Sequence, residues 1–373
     1  MPWSMGWSTD RAPSPPFPAP EEHGGQEGVE SGWLPAALNS GFHYRDRVDV
    51  AVPSVATFYA NRHSHSTLAV WQGRLLAGEI WRNGERLSGD VPLRVGDRLC
   101  WQRPPWREGA VPGAWPVVHD DGDLHVIDKP SGLPVLPAGG WLEHTALRLL
   151  ERRHRLDPRG VPVPVHRLGR FTSGLLVCAR QAATRRWLSA RLRESTAELA
   201  ACEGLDGDGD WDGDGDGDGE RPACRKVYAA LLVPGGLPES LKPGDALTIS
   251  TAIGRRLHHR LGWIWCAALR PRPGDLAARS TLTLVERNGE GDRVEVRIAS
   301  GRPHQIRIHC AALGAPLLGD PLYLPGGLAR EEVLPGEGGY RLRARRLELR
   351  RPDGRWLRLE ASPTPPGAGD AEA

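Results

Sequence analysis

The second half of this chain alternates apolar and polar positions in runs of six to nine residues, broken by two stretches with helical spacing. Strict alternation marks strands half-buried in a sheet, and a stripe at three- and four-residue intervals marks a helix. KVYAALLV, ALTISTAI, STLTLVERN and RVEVRIAS follow the first pattern over parts of their length and predict strands. LHVIDKPSGLPV, Leu124 to Val135, predicts a strand running into a Pro-Gly turn, and SGLLVCAR predicts a buried strand. TALRLLERRHRL and AATRRWLSARLRESTA predict helices, the first with Thr145 as its N-cap. HQIRIHCAALG predicts a helix ended by Gly314, and RLRARRLELRRPDGRWLRLEA a hairpin about Asp353-Gly354. Helices and strands mix without a regular βαβ repeat, so the fold class is α+β with a mixed sheet.

The pattern divides the chain. Residues 1–48 are expected to be a disordered or loosely packed arm, and 362–373 a tail. Residues 50–108 are expected to form a small module. SVATFYANRH opens a helix, and short strands then turn at Asn83-Gly84 and Gly96-Asp97. Residues 116–361 form the main domain. It is interrupted at 203–220 by an Asp/Gly repeat that fits neither calcium-loop register, since glycine or glutamate falls out of place in each. That segment predicts a solvated, disordered insertion.

Composition adds a basic body. The formal charge is +2, but the insertion carries nine acidic residues and no Lys or Arg. Without it, 48 basic residues face 37 acidic ones, 46 less nine, a balance of +11 that suits a polyanion. Six scattered cysteines without C-x-x-C spacing predict buried thiols and no metal site. No apolar run is long enough to span a bilayer, and the first 20 residues lack the apolar core of a secretory signal. A cytoplasmic location is expected.

Four blocks carry the chemistry: VIDKPSGLPV, HRLGRFTSGLLVCA, RKVYAALLV and SGRPHQIRIHCAALGAPLLGDPLY. In order and spacing they resemble the RluA-type RNA pseudouridine synthases, over about 200 residues. The family patterns are K-P-x-G, H-R-L-D followed by T-S-G, a tyrosine-bearing strand, and G-R-x-H-Q-I-R-x-H with G-D-x-x-Y. The resemblance implies a mixed, mostly antiparallel central sheet with flanking helices and cofactor-free isomerisation of uridine in structured rRNA or tRNA by a monomer. The helix, G-x-x-x-x-N-G and L-x-x-G-D-x-L order of 50–108 resembles an S4-type RNA-binding module.

Such chemistry needs a carboxylate beside C1′ and C2′ of a flipped nucleotide, as nucleophile or base. It also needs an arginine to hold that carboxylate ionised and a tyrosine against the base. The resemblance places the arginine at Arg307 and the tyrosine at Tyr228. Arg167 falls beside the flipped nucleotide, and Arg170, His166, Thr172, Lys129, Arg302, His304 and Gln305 lie in the RNA-binding blocks. His166 and His304 are expected to shape turns, and Thr172, Ser173 and Gly174 to make the turn into the next strand. The catalytic aspartate's place is Gly169, which has no side chain. Branches of this family carry H-R-L-G-R here. A second HRLD, ending at Asp157, lacks the following T-S-G and reads as coincidence. Asp128 and Asp320 are the nearest substitute acids within the blocks, although Asp320 suits a turn cap better. Two readings follow: an active synthase, or an inactive paralogue that binds RNA in folding or ribosome assembly. A lone lost acid would make Gly169→Asp restorative, and a recruited acid would make it neutral.

Overall fold

The computed structural model describes residues 32–63, 66–201, 224–298, 301–333 and 339–362, with the backbone alone over 193–201. The acidic insertion at 203–220 and the arm before residue 32 lie outside them.

Residues 32–48 depart from the expected loose arm. Phe42–Arg47 is a strand, β1, paired antiparallel with Arg98–Arg103. Charged residues hid its alternation, yet Tyr44 stacks on Trp101 at 5.0 Å and Val48 is buried. Helices α1 (Val55–Arg62) and α2 (Leu68–Leu76) pack Phe58, Tyr59, Trp71 and Leu75 over this sheet, around a core of its own. Ser54 and Thr67 cap them. The turn at Asn83-Gly84 has both residues at positive φ, as a tight hairpin requires.

The main domain is built on one sheet whose principal strands are β2 (Val117–Asp120), β3 (Leu124–Lys129), β4 (Thr172–Ala179), β5 (Cys224–Leu232), β6 (Ala246–Ile249), β7 (Ser280–Asn288), β8 (Gly291–Ile298) and β9 (Leu342–Arg350). The spatial order is β6-β7-β8-β5-β9-β4-β3-β2. Every neighbouring pair along this path is antiparallel except β4 and β9, which run parallel with Thr172 opposite Leu342. The sheet therefore matches the mixed, mostly antiparallel expectation. The hairpin at Asp353-Gly354 returns as a strand at Trp356–Glu360.

The apolar run of β4 is explained by cover on both faces. Leu175 and Val177 pack with Leu188 and Leu192 of helix α4 (Ala182–Ala201). Leu176 and Cys178 face Ala146, Leu149 and Leu150 of helix α3 (Ala146–Arg153), which Thr145 caps. Helix α5 (Gln305–Ala312) inserts Ile306 and Cys310 against β7, β8 and β9. ALTISTAI breaks after Ile249, and Ile253–His258 instead forms a hairpin with Gly262–Ala267. No helix among the described residues is long and apolar enough to cross a membrane.

Candidate active site

The parallel pairing of β4 and β9 fixes where the site lies. Parallel strands begin at the same end of a sheet, so the segments that enter them lie side by side. Gly169, three residues before Thr172, therefore meets Tyr340, two residues before Leu342. Gly174 permits the approach: its φ is +97°, and a Cβ there would overlap the Ala344 carbonyl oxygen and lie 2.8 Å from the Ala344 nitrogen. Thr172, Ser173 and Gly174 are thus the opening of the strand itself, and the turn precedes them, closed by the Thr172 N–H on the Gly169 carbonyl at 3.1 Å.

A cavity of about 390 Å³ opens here. Gly169, Thr172, Tyr228, Arg307 and Tyr340 line it, with His166, Arg167, Lys226, Arg302, His304 and Arg346 around them. No aspartate or glutamate is among its described lining residues. Gly169 and Arg167 are exposed. A side chain at Gly169 would displace its neighbour: a Cβ would overlap the Tyr340 hydroxyl and lie 3.2 Å from Thr172 Oγ1. Gly169→Asp as a lone change therefore requires the Tyr340 side chain to shift.

Arg307 is buried and pairs with an aspartate, but that aspartate is Asp320. Nε and Nη2 donate to the two carboxylate oxygens at 2.7 Å each, a bidentate fork. Asp320 also caps its turn by accepting from the Leu322 and Tyr323 N–H groups at 2.9 and 3.1 Å. Its side chain is fully buried and does not line the cavity. The Arg307 guanidinium carbon lies 4.3 Å from the Tyr340 ring centre and 4.8 Å from that of Tyr323. Asp128 pairs with Arg343 at 2.6 Å, and Asp157 with Arg159 at 2.9 Å, both outside the cavity lining. Tyr228, half-buried on β5, has its hydroxyl pushed up to about 12 by burial.

Several residues of the RNA-binding blocks are spent on structure. Lys129 is fully buried, and its Nζ donates to the Pro130, Leu133 and Arg170 carbonyls at 2.8–3.0 Å. Burial pulls it down to about 7. It ties the K-P-x-G turn to the Gly169 loop and cannot reach RNA. Gln305 is buried as well: Nε2 donates to the Arg279 carbonyl and Ser280 Oγ, and Oε1 accepts the Arg302 N–H. Arg170 donates Nε to the Gly132 carbonyl at 3.0 Å and stacks on Trp141 at 4.3 Å. Arg302 donates Nε to the Ala277 carbonyl. His166 Nε2 accepts the Val177 N–H at 3.0 Å, which fixes an unprotonated nitrogen there, and burial lowers its pKa to about 4. His304 starts α5 at φ 55° with Nδ1 2.7 Å from the Tyr323 hydroxyl. That hydroxyl donates to the Trp265 carbonyl, so His304 Nδ1–H is the donor. Sequence reading missed Tyr340, Lys226 and Arg346. Lys226 and Tyr228 lie two apart on one strand face, a signal that was present. Tyr340 lies outside every motif.

The second histidine of the helix motif, His309, is fully buried, with Nδ1 2.8 Å from Ser280 Oγ and Nε2 2.9 Å from the Thr251 carbonyl. Burial lowers its pKa to about 4. The unfolded chain therefore takes up this proton first as pH falls. The stability His309 gives is complete above pH 6.5 and drains away toward pH 4, by about 2 kcal/mol between pH 6.5 and 5. Urea midpoints at the two pH values are expected to fall further for the wild type than for His309→Asn.

A family model of RNA pseudouridylate synthases matches residues 123–199. An uncharacterized RNA pseudouridine synthase of Synechocystis sp. is 38% identical over 292 residues, covering 78% of this chain and 87% of that protein. RNA pseudouridine synthase 5 of Arabidopsis thaliana is 33% identical over 351 residues, covering 84% and 89%. Ribosomal large subunit pseudouridine synthase D of Pseudomonas aeruginosa is 28% identical over 270 residues, covering 70% and 69%. With the four motif blocks gathered at one sheet end and these likenesses spanning most of its length, the chain belongs to the RNA pseudouridine synthases, and its reaction is the isomerisation of uridine to pseudouridine.

Proposed function

We propose that the substrate is a uridine in structured ribosomal RNA, flipped into the cavity at the β4–β9 junction. The observation that carries this is the cavity lining, in which cationic side chains surround Tyr228 without a described carboxylate among them. Such a wall attracts a phosphodiester backbone and offers an aromatic face to an unstacked base. Tyr228 packs on the base, Arg167 meets a flanking phosphate, and Arg307 braces the floor. The module at 50–108, which carries two helices and a small sheet, adds a second RNA contact. The name of the Pseudomonas relative supports ribosomal RNA over transfer RNA. The protein acts as a cytoplasmic monomer in this reading.

Pseudouridine mapping of total RNA with and without the gene tests it. A ribosomal site lost on deletion and regained with purified protein on the matching RNA is expected; a lost site in transfer RNA would move the substrate, and no lost site would overturn the reading. Binding to the same RNA is expected to weaken about 10³-fold between 50 and 200 mM salt if about six phosphates are engaged. A flat response in a titration would count against the basic wall as the RNA contact.

A further inference from the structure

We propose that Tyr340 supplies the reactive oxygen of this site, in the place left by the carboxylate missing at Gly169. The inference rests on the functional reading above. Four observations converge on it. The Tyr340 hydroxyl occupies the space where a side chain on residue 169 would begin. It lines the same cavity as Tyr228 and Arg307. Thr172 Oγ1 lies 3.3 Å from it, within reach to donate a hydrogen bond to a phenolate. The ring is held by Phe171 edge-on at 5.9 Å and by the Arg307 guanidinium at 4.3 Å.

The candidate carboxylates are committed elsewhere. Asp320 is sealed behind Arg307, and Asp128 and Asp157 are paired outside the cavity. The glycine and the tyrosine compete for one space: a residue with a Cβ at 169 would need this hydroxyl to move.

The chemistry favours a base over a nucleophile. A phenolate bonded to C1′ would make an aryl glycoside, whose leaving group is far more basic than a carboxylate. As a base the same oxygen is stronger than a carboxylate. With its own proton given up to water, the Tyr340 oxygen takes the C2′ proton, and the C2′–H pair becomes a C1′=C2′ bond. The C1′–N1 bond breaks, and its pair leaves on uracil N1. After the base turns, C2′ takes the proton back from Tyr340 as the uracil C5 pair bonds to C1′. The C5 proton is then lost and N1 gains one, which leaves pseudouridine, and the Tyr340 oxygen recovers its proton from water.

The test compares full-length wild type, Tyr340→Phe and Thr172→Val on the RNA identified by mapping. Tyr340→Phe keeps the ring over Arg307 and removes one oxygen. Its kcat is expected to fall at least about 100-fold with RNA affinity and thermal midpoint near wild type. Thr172→Val leaves Tyr340 whole and is expected to cost about 10-fold in kcat by removing the donor to the phenolate. Gly169→Asp combined with Tyr340→Phe places a carboxylate in the vacated space and is expected to recover part of the turnover that Tyr340→Phe loses. Tyr340→Phe turnover within about threefold of wild type would overturn the proposal while the functional reading stands. A wild type that makes no pseudouridine would overturn the functional reading, and the proposal with it. If Tyr340→Phe does not fold, an unchanged kcat in Thr172→Val, against the expected loss, decides against it.

Discussion

Arg307→Met is expected to cost about 3–5 kcal/mol of folding stability, because it leaves the buried Asp320 carboxylate without its counter-charge. Two hydrogen bonds of 2.7 Å are lost at once, and the turn that Asp320 caps loosens with them. The same change removes the cation from the Tyr340 ring, so pseudouridine yield is expected to fall below detection. Urea unfolding and mapping on the matching RNA separate the two effects when a second variant is added. Arg307→Met with Asp320→Leu removes both charges, and replacing a whole buried pair by apolar groups is often close to neutral. That double variant is expected to regain most of the stability and none of the activity. Regained activity would show that the pair serves only the fold.

Gly174→Ala is expected to be nearly as damaging, for a backbone reason. A φ of +97° strains any residue with a Cβ, and the added carbon overlaps the Ala344 carbonyl of the adjacent strand. Strain of about 1–2 kcal/mol combines with an overpacking cost of about 1–3 kcal/mol. The β4–β9 pairing is expected to part, and with it the alignment of Gly169 with Tyr340. Gly84→Ala makes a useful control, since it shares the positive φ but a Cβ there meets nothing within 4 Å. Its expected loss, measured by urea midpoint, is the strain alone.

Most single elements were legible because their signals are local. Thr145 caps a helix, Gly314 ends one at φ 92°, and the alternation of STLTLVERN spans Ser280–Asn288. What failed is instructive. Phe42–Arg47 hid its pattern under alternating charge, and Ile253–His258 merged with the strand before it. Lys129 and Gln305 looked like solvent-facing ligands because composition does not say which polar groups a turn must satisfy internally. The resemblance made Arg307 the partner of the family's catalytic aspartate, whose place here is Gly169; in the structure it pairs with Asp320, 13 residues onward. Tyr340 was invisible for a topological reason: it meets Gly169 only because strands from distant parts of the chain run parallel, and no local periodicity encodes that pairing.

The position of β9 also sets when this molecule can work. The strands at 117–179 and those at 224–298 pair among themselves, and among the described residues only Leu342–Arg350 bridges the two groups along the main path. During synthesis both half-sheets emerge with an open edge toward a strand that has yet to be made, a non-local closure that is slow to form and vulnerable to pairing with other chains. The same strand follows directly after Tyr340. The cavity wall and the joining of the fold therefore arrive together, so a nascent or clipped chain that stops before residue 340 exposes two sheet edges and has no complete pocket to act on RNA.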